Sequence, residues 1–150
     1  MRGTLVLGIG SPIVSDDAVG LSVAEEIAKR DLEGVEVEQH STSGLDIIDI
    51  VLDFERVVVI DSIVTGRDPP GTVTIHRPED FDHAVSGGSP HEINLFTAIE
   101  LGRKLYPGRM PREIVLVAVE VLDVLTISEE MTPEVEGSIH SVAERVLEIL

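Results

Sequence analysis

Two short runs of branched apolar residues constrain the fold more than any other feature of the chain. Residues 57–60 are Val-Val-Val-Ile, and residues 114–119 are Ile-Val-Leu-Val-Ala-Val. A strand that is apolar at every position is typical of a parallel sheet, because helices cover both faces of such a sheet. The two runs therefore predict central strands that are buried on both sides.

Helical periodicity separates the predicted strands. Apolar residues at 19, 23 and 27 follow Ser-Asp-Asp at 15–17, where serine or aspartate can cap a helix. Further helices are predicted at 45–54, from 90 to about 105, and from 132 to the C-terminal end, and shorter strands at 5–8, 35–38 and 72–76. The alternation predicts an α/β fold, a three-layer α/β/α sandwich with a mostly parallel central sheet of about five strands.

Two turn signals refine this topology. Pro69-Pro70-Gly71 leaves little room for a helix between the third and fourth strands, which predicts that one strand runs antiparallel. Residues 78–88 are polar and contain glycine, which predicts a loop. The sequence Ser-Pro-His-Glu at 89–92 then predicts a capped helix start with proline at its first position.

Composition excludes several classes of function. The chain has 150 residues, which suits a single domain, and 28 acidic against 11 basic residues give a formal net charge of −17. Such a surface repels phosphate backbones, so no nucleic-acid partner is expected. Without cysteine, thiolate metal sites and cysteine nucleophiles are excluded. No apolar run is long enough to span a membrane, and no signal peptide is evident, so a cytoplasmic protein without membrane insertion is expected.

Three residues are candidates for a metal site at one edge of the sheet. Asp61 follows the third predicted strand, Asp17 lies where the first strand passes into a helix, and His91 lies at the start of another helix. Ligands bind outside the carboxyl ends of strands in open α/β sheets, so these side chains are expected to converge there. Two carboxylates and one imidazole suit nickel or zinc better than calcium or magnesium. Each aspartate also has an ordinary structural interpretation, as a helix cap or a strand end.

Better-known motifs are absent or incomplete. The loop Gly8-Ile9-Gly10 lacks the third glycine of the dinucleotide fingerprint, and no lysine follows it as in a P-loop. Leu95 stands where a zinc-protease helix would have its second histidine, and no nucleophile elbow occurs. A phosphoacceptor signalling domain would use Asp61 with a preceding acidic pair. Glu120, however, follows the last strand, where that class needs lysine.

The motifs together resemble the hydrogenase maturation endopeptidases. Residues 7–20 (LGIGSPIVSDDAVG) resemble the family's glycine-x-glycine-asparagine loop and the acidic pair that follows it. Ile-Asp-Ser at 60–62, Pro-Gly-Thr at 70–72, Ser-Pro-His at 89–91 and Thr-Pro-Glu at 132–134 match at the expected intervals. The resemblance spans essentially the whole chain and implies one maturation peptidase domain over residues 1–150.

The resemblance implies a cytoplasmic, metal-dependent endopeptidase with one protein substrate. Family members remove a C-terminal extension from the precursor of a [NiFe] hydrogenase large subunit after nickel insertion. Carried over by position, the nickel-recognition and catalytic residues are Asp17, Asp61 and His91, and the nickel belongs to the substrate. The identity of the general base stays open: Asp17, Asp61 and Asp16 are all candidates. A module that binds the nickel-loaded precursor without cutting it would use the same three ligands and remains the alternative.

Three positions depart from the family's pattern. Ser11 replaces the asparagine of the first loop, and Asp17 stands where some members have glutamate. The glycine-rich loop after the second strand keeps only Thr42 and Gly44. His40, just before that loop, is therefore a candidate fourth contact or a plain strand-end residue.

Overall fold

Five strands form one sheet in the computed structural model, which describes residues 1–42, 44–80 and 90–150, with the side chains of 80 and 90–94 outside that description. The spatial order is β2-β1-β3-β5-β4. All neighbouring strands are parallel except β4, which pairs antiparallel with β5. The predicted mostly parallel sheet and its single antiparallel strand are confirmed. The strands are β1 (Arg2–Ile9), β2 (Val35–His40), β3 (Phe54–Ile63), β4 (Val73–His76) and β5 (Glu113–Glu120).

Helices cover both faces of the sheet. They are α1 (Val19–Ala28), α2 (Ile47–Val51), α3 (Pro90–Leu105), α4 (Pro133–Glu136) and α5 (Ile139–Ile149). Buried residues of α2 and α3 share one apolar core with the sheet, and buried residues of α1, α4 and α5 share the other. This arrangement confirms the three-layer sandwich.

The central strand β3 shows why its sequence is apolar at consecutive positions. Val57 and Val59 belong to the core beneath α2 and α3, whereas Val58 and Ile60 belong to the core beneath α1 and α5. Successive side chains of a strand point to opposite faces, so a strand covered on both sides needs apolar residues throughout. Each fully buried side chain of this size contributes roughly 1.5–3 kcal/mol through removal from water.

The prediction of a helix over 45–54 was wrong at its C-terminal end. Helix α2 ends at Val51, Leu52 is extended, and Asp53 takes a left-handed conformation with φ of 68°. Phe54 then begins β3, and its buried ring lies under the Arg2 guanidinium. Aspartate tolerates the left-handed region better than most residues, which permits a tight turn here without glycine.

Two other predictions need correction or fall outside the description. The final helix is not continuous, because α4 ends at Glu136 and α5 begins only at Ile139. The third helix has the predicted bounds, 90–105. Its capping interactions through Ser89 and Glu92 lie outside the described residues, as does the predicted loop beyond the short 3-10 turn at Pro78–Asp80.

None of the described helices combines the length and the apolar character needed to cross a bilayer.

Candidate active site

Asp61 lies at the carboxyl edge of the sheet, although not at the end of its strand. The prediction placed it directly after the third strand, but β3 continues to Ile63, which pairs with Glu120 of β5. The pairing of β3 with β1, in contrast, ends at Gly8 and Ile60. Asp61 is therefore one residue beyond the end of that pairing, and it is 7% exposed.

Asp17 reaches the same edge because glycines let α1 begin directly against the strand ends. A Cβ atom on Gly10 would lie 2.0 Å from the carbonyl oxygen of Asp17, and one on Gly20 would lie 2.4 Å from the carbonyl oxygen of Ile60. Larger residues would push the start of α1 away from the sheet. The Gly-Ile-Gly sequence thus serves close packing of backbone rather than phosphate binding.

The segment before α1 is a 3-10 turn, Ser15–Ala18, rather than the predicted capped start of an α-helix. No side chain caps either helical segment here. Ser15 has φ of 45°, a left-handed conformation that L-residues adopt at some cost. Its backbone N–H donates to the carbonyl of Ser128, which helps to hold this conformation.

Asp17 and Asp61 line one cavity of about 170 Å³. The first loop, the loop after β2 and strand β3 all contribute to its wall. The lining residues are Ile9, Gly10, Ser11, Asp17, Ser41, Thr42 and Asp61. The structure therefore brings together two of the three predicted site residues.

Ser62 links the two carboxylates through its own hydrogen bonds. Its hydroxyl donates to Oδ1 of Asp17 at 2.8 Å, and its backbone N–H donates to Oδ1 of Asp61 at 2.8 Å. The backbone N–H of Ser11 donates to Oδ2 of Asp17 at 3.0 Å. Because the donor is the backbone N–H of residue 11, the contact does not depend on the side chain there. It therefore remains possible with serine in place of the family's asparagine.

His91 lies in the first turn of α3, and its side chain is outside the described residues. The topology still constrains its position. Helix α3 has 16 residues, about 24 Å at 1.5 Å per residue, and is followed by the start of β5 at the opposite edge of the sheet. A helix of that length spans most of the sheet, which puts its first turn toward the carboxyl edge.

Asp16 differs from Asp17 in burial and in its hydrogen-bond partners. It is fully buried, and Oδ2 accepts hydrogen bonds from the backbone N–H groups of Leu122 and Asp123 at 3.0 and 2.9 Å. Oδ1 accepts from the backbone N–H of Thr132 at 2.7 Å, and the Thr132 hydroxyl also donates to the carboxylate. Asp16 is absent from the cavity wall. Its geometry indicates a structural role rather than that of the general base.

Three further histidines lie in the described residues, and none of their side chains has a contact with the cavity wall. His40 Nε2 lies 3.2 Å from Oε1 of Glu38 on the same strand, and the backbone carbonyl of His40 accepts from Gly10. His76 lies beside Thr74, and His140 lies 3.9 Å from Glu144. None of the three lines the cavity that contains Asp17 and Asp61.

The donor set suits a borderline divalent cation only in part. The described residues contain no group of three histidine or acidic side chains placed to hold a metal ion. They do place two carboxylates on one small, open cavity, and a carboxylate oxygen can accept more than one contact. Two carboxylates fill only part of the coordination sphere of such a cation.

Sequence reasoning missed Ser41 as a wall residue and Ser62 as the link between the carboxylates. Both directly follow residues that had drawn attention, His40 and Asp61. Polar residues at the carboxyl ends of adjacent parallel strands were the available signal.

Ser62→Ala is expected to lower kcat for a reaction at this cavity about tenfold with little change in KM, because Asp17 loses the donor that orients it. The free energy of unfolding should fall by about 1 kcal/mol. Steady-state kinetics and urea unfolding measure the two effects. Ser141→Ala removes a comparable hydroxyl bond on the surface of α5 and should leave kcat unchanged. A Ser62→Ala variant with wild-type kcat would contradict the orienting role.

Comparison with known proteins assigns the chain to a family. A family model described as hydrogenase maturation protease, HycI, matches residues 21–149. The hydrogenase 2 maturation protease of Escherichia coli K12 is 29% identical over 149 residues, covering 97% of this chain and 89% of that protein.

Solved structures agree with this assignment. The hydrogenase maturating endopeptidase HybD from E. coli superposes with a TM-score of 0.77 and is 28% identical, covering 100% of this chain and 92% of that chain. The [NiFe] hydrogenase maturation protease HybD from Thermococcus kodakarensis shares the fold, with a TM-score of 0.78 at 22% identity and coverage of 99% of both chains. The sheet order, the carboxylate cavity and these matches have one explanation: the chain belongs to the hydrogenase maturation protease family.

Proposed function

We propose that this protein removes the C-terminal extension from a nickel-loaded large-subunit precursor of a [NiFe] hydrogenase. Membership of the family makes the chain an endopeptidase of hydrogenase maturation. The nickel dependence, the precursor and a cytoplasmic location are the parts that we add. The observation that carries the proposal is the pair of carboxylates, Asp17 and Asp61, on one cavity at the sheet edge.

In the proposed mechanism the nickel arrives with the substrate. Asp17 and Asp61 would bind it through carboxylate oxygens, and His91 would supply the third protein ligand. Nickel presented there by the precursor would supply a positive charge next to the scissile carbonyl, or would lower the pKa of a water molecule that attacks it. Ser62 keeps Asp17 oriented, so this carboxylate needs no large rearrangement when the precursor binds.

The chemistry of the site also supports a substrate-borne metal. The chain has no cysteine, so any thiolate ligands of the nickel would come from the precursor. Two carboxylates alone form a weak, open site. Such a site distinguishes a precursor that presents nickel from one that lacks it, because the metal completes the contact.

Mass spectrometry of the precursor after incubation with this protein tests the proposal. We expect loss of a C-terminal peptide from the nickel-loaded precursor and no loss from the nickel-free form. Equal cleavage of both forms would refute nickel recognition. Stable binding of the nickel-loaded form without cleavage would favour the non-catalytic checkpoint module instead.

A further inference from the structure

The loop between β5 and α4, residues 121–132, displays large apolar side chains to solvent. Leu125 is 89% exposed and Ile127 is 82% exposed. Leu122 of the same loop and Ile13 of the first loop are each 52% exposed. We call these four residues the exposed patch. Contiguous apolar surface of this kind, with a polar rim, marks interaction sites on proteins that otherwise bury such side chains.

Hydrogen bonds fix the conformation of the loop that carries the patch. The buried carboxylate of Asp16 accepts from the backbone N–H groups of Leu122 and Asp123. The carboxylate of Asp123 in turn accepts from the N–H groups of Leu125 and Thr126, both at 2.9 Å. Hydrogen bonds from the side chain and backbone of Thr126, and from the backbone of Leu125, lower the pKa of Asp123. An apolar surface that is already ordered loses less entropy on binding than a mobile one.

The patch is continuous with the cavity through the first loop. The backbone N–H of Ser128 donates to the carbonyl of Ile13 at 2.9 Å, and Val14 and Ser128 form an isolated parallel bridge. These contacts place Ile127 beside Ile13. Ser11, two residues before Ile13, lines the cavity that contains Asp17 and Asp61. A chain that crosses the cavity therefore passes the patch within a few residues.

The charge of this edge defines the partner. In the described part of the chain, four loops border the carboxyl edge, at 10–14, 41–46, 64–72 and 121–132, and Arg67 is the only lysine or arginine in their sequences. The loop that carries the patch contains Asp123, Glu129 and Glu130. At the opposite edge of the sheet, acidic groups have basic partners. Arg109, for example, donates two hydrogen bonds to the carboxylate of Asp53 and so lowers the pKa of that carboxyl.

An apolar patch with an acidic rim selects against a second copy of this chain. A symmetric contact between two patches would bring acidic loops together, in a molecule whose formal net charge is −17. A partner that carries both apolar and basic side chains would complement the apolar patch and its acidic rim.

We propose that the exposed patch binds an extended segment of the precursor next to the scissile bond, through apolar side chains interspersed with lysine or arginine. This inference rests on the proposed function and adds the surface that selects the substrate. An extended chain advances about 3.3 Å per residue, so the segment that reaches the patch lies only a few residues from the bond held at the cavity. Recognition of extended chain by pockets and charges beside a reactive site is a common mode of peptide binding.

The test compares the double variant Leu125→Ser/Ile127→Ser with the wild-type protein. Both side chains are largely exposed, so the variant is expected to fold, which circular dichroism checks. With nickel-loaded precursor as substrate, KM should rise roughly tenfold to a hundredfold while kcat stays near wild type. Leu105→Ser is the matched control, because Leu105 is 58% exposed at the end of α3, away from this edge. An unchanged KM in the double variant would refute the proposal.

A second measurement identifies the occupant and separates this proposal from the proposed function. A fluorescently labelled synthetic peptide with the precursor sequence around the scissile bond should bind the wild-type protein and lose affinity for the double variant. If the double variant keeps its affinity for the peptide but has a raised KM for the precursor, the patch contacts the folded body of the precursor and the proposal is overturned. If the wild type forms concentration-dependent dimers and the double variant does not, the exposed patch binds a second copy of this chain and the proposal is overturned. If the wild type binds the peptide at the patch but cleaves no precursor, the proposed function fails and the docking surface stands.

Discussion

Asp61→Asn is expected to lower kcat for precursor cleavage by about 10³-fold or more, with little change in stability. The substitution keeps the size of the side chain and removes its charge. A carboxylate that holds a divalent cation against a reacting carbonyl contributes several kcal/mol to the transition state, and about 4 kcal/mol corresponds to this change in rate. The loss should appear in kcat because the substitution leaves the proposed contact of the precursor with the exposed patch unchanged.

The Asp61→Asn variant would retain the hydrogen bond that the backbone of Ser62 donates to this side chain. Oδ1 of Asp61 accepts a hydrogen bond from the backbone N–H of Ser62, and an asparagine amide oxygen can accept the same bond. Asp17 is less suitable for this test, because both of its oxygens accept hydrogen bonds, from Ser62 and Ser11. Asp17→Asn would point an amide N–H at one of these donors and thus change structure as well as charge.

Single-turnover cleavage of nickel-loaded precursor, followed by mass spectrometry, measures the effect of Asp61→Asn. The free energy of unfolding, from urea titration, should fall by about 1 kcal/mol or less, the difference between a hydrogen bond to a charged and to a neutral acceptor. Asp49→Asn removes a charge from an exposed position of α2 and should process the precursor at the wild-type rate. His91→Ala is expected to show the same loss as Asp61→Asn. Normal processing by both site variants would refute the assignment of the site.

The sequence predicted the layers of the fold because apolar patterning reports burial directly. The run at 57–60 is apolar at consecutive positions, and the strand that contains it has a packed core on each face. Element ends were predicted less well. Ile47, Ile48, Val51 and Phe54 have helical spacing, yet only the first three lie in α2. The turn at Asp53 uses a left-handed aspartate, which carries no glycine or proline signal.

The sequence predicted those features of the site that follow from the position of its residues in the sheet. The rule that ligands bind at the carboxyl edge of a parallel sheet brought Asp17 and Asp61 together correctly. The hydrogen bond between Ser62 and Asp17 joins residues 45 positions apart, and a single sequence does not report such pairings. The roles of Asp17, Asp61 and His91 remain predictions for the kinetic experiments.

The adjacent residues Asp16 and Asp17 show the limit of sequence reasoning most clearly. Both are acidic and both follow the first loop, so the sequence left either one available as the general base. They lie in a 3-10 turn, where successive side chains diverge by about 120°. One therefore points into the protein toward the β5–α4 loop, while the other faces the cavity.

Asp16→Ala is expected to lower the free energy of unfolding by about 3 kcal/mol. The variant removes the acceptor for three backbone N–H groups, those of Leu122, Asp123 and Thr132, at a position with no solvent exposure. Buried donors without an acceptor each cost about 1–3 kcal/mol, and partial access of water reduces the total. Urea unfolding monitored by circular dichroism measures the loss, and Asp49→Ala on the surface of α2 should cost about 0.5 kcal/mol or less.

Asp16→Asn separates this structural role from a catalytic one. Its amide oxygen can accept some of the backbone bonds, but its N–H₂ group would face donors, so stability should again fall, by about 1–3 kcal/mol. At a temperature where the variant is still folded, its cleavage rate per folded molecule should stay within about tenfold of wild type, because Asp16 does not line the cavity. Full stability combined with a loss of cleavage comparable to that of Asp61→Asn would identify Asp16 as the general base, contrary to the structure. A large loss of stability with retained cleavage would instead show that one aspartate of the pair holds the loops of the sheet edge together while its neighbour faces the substrate.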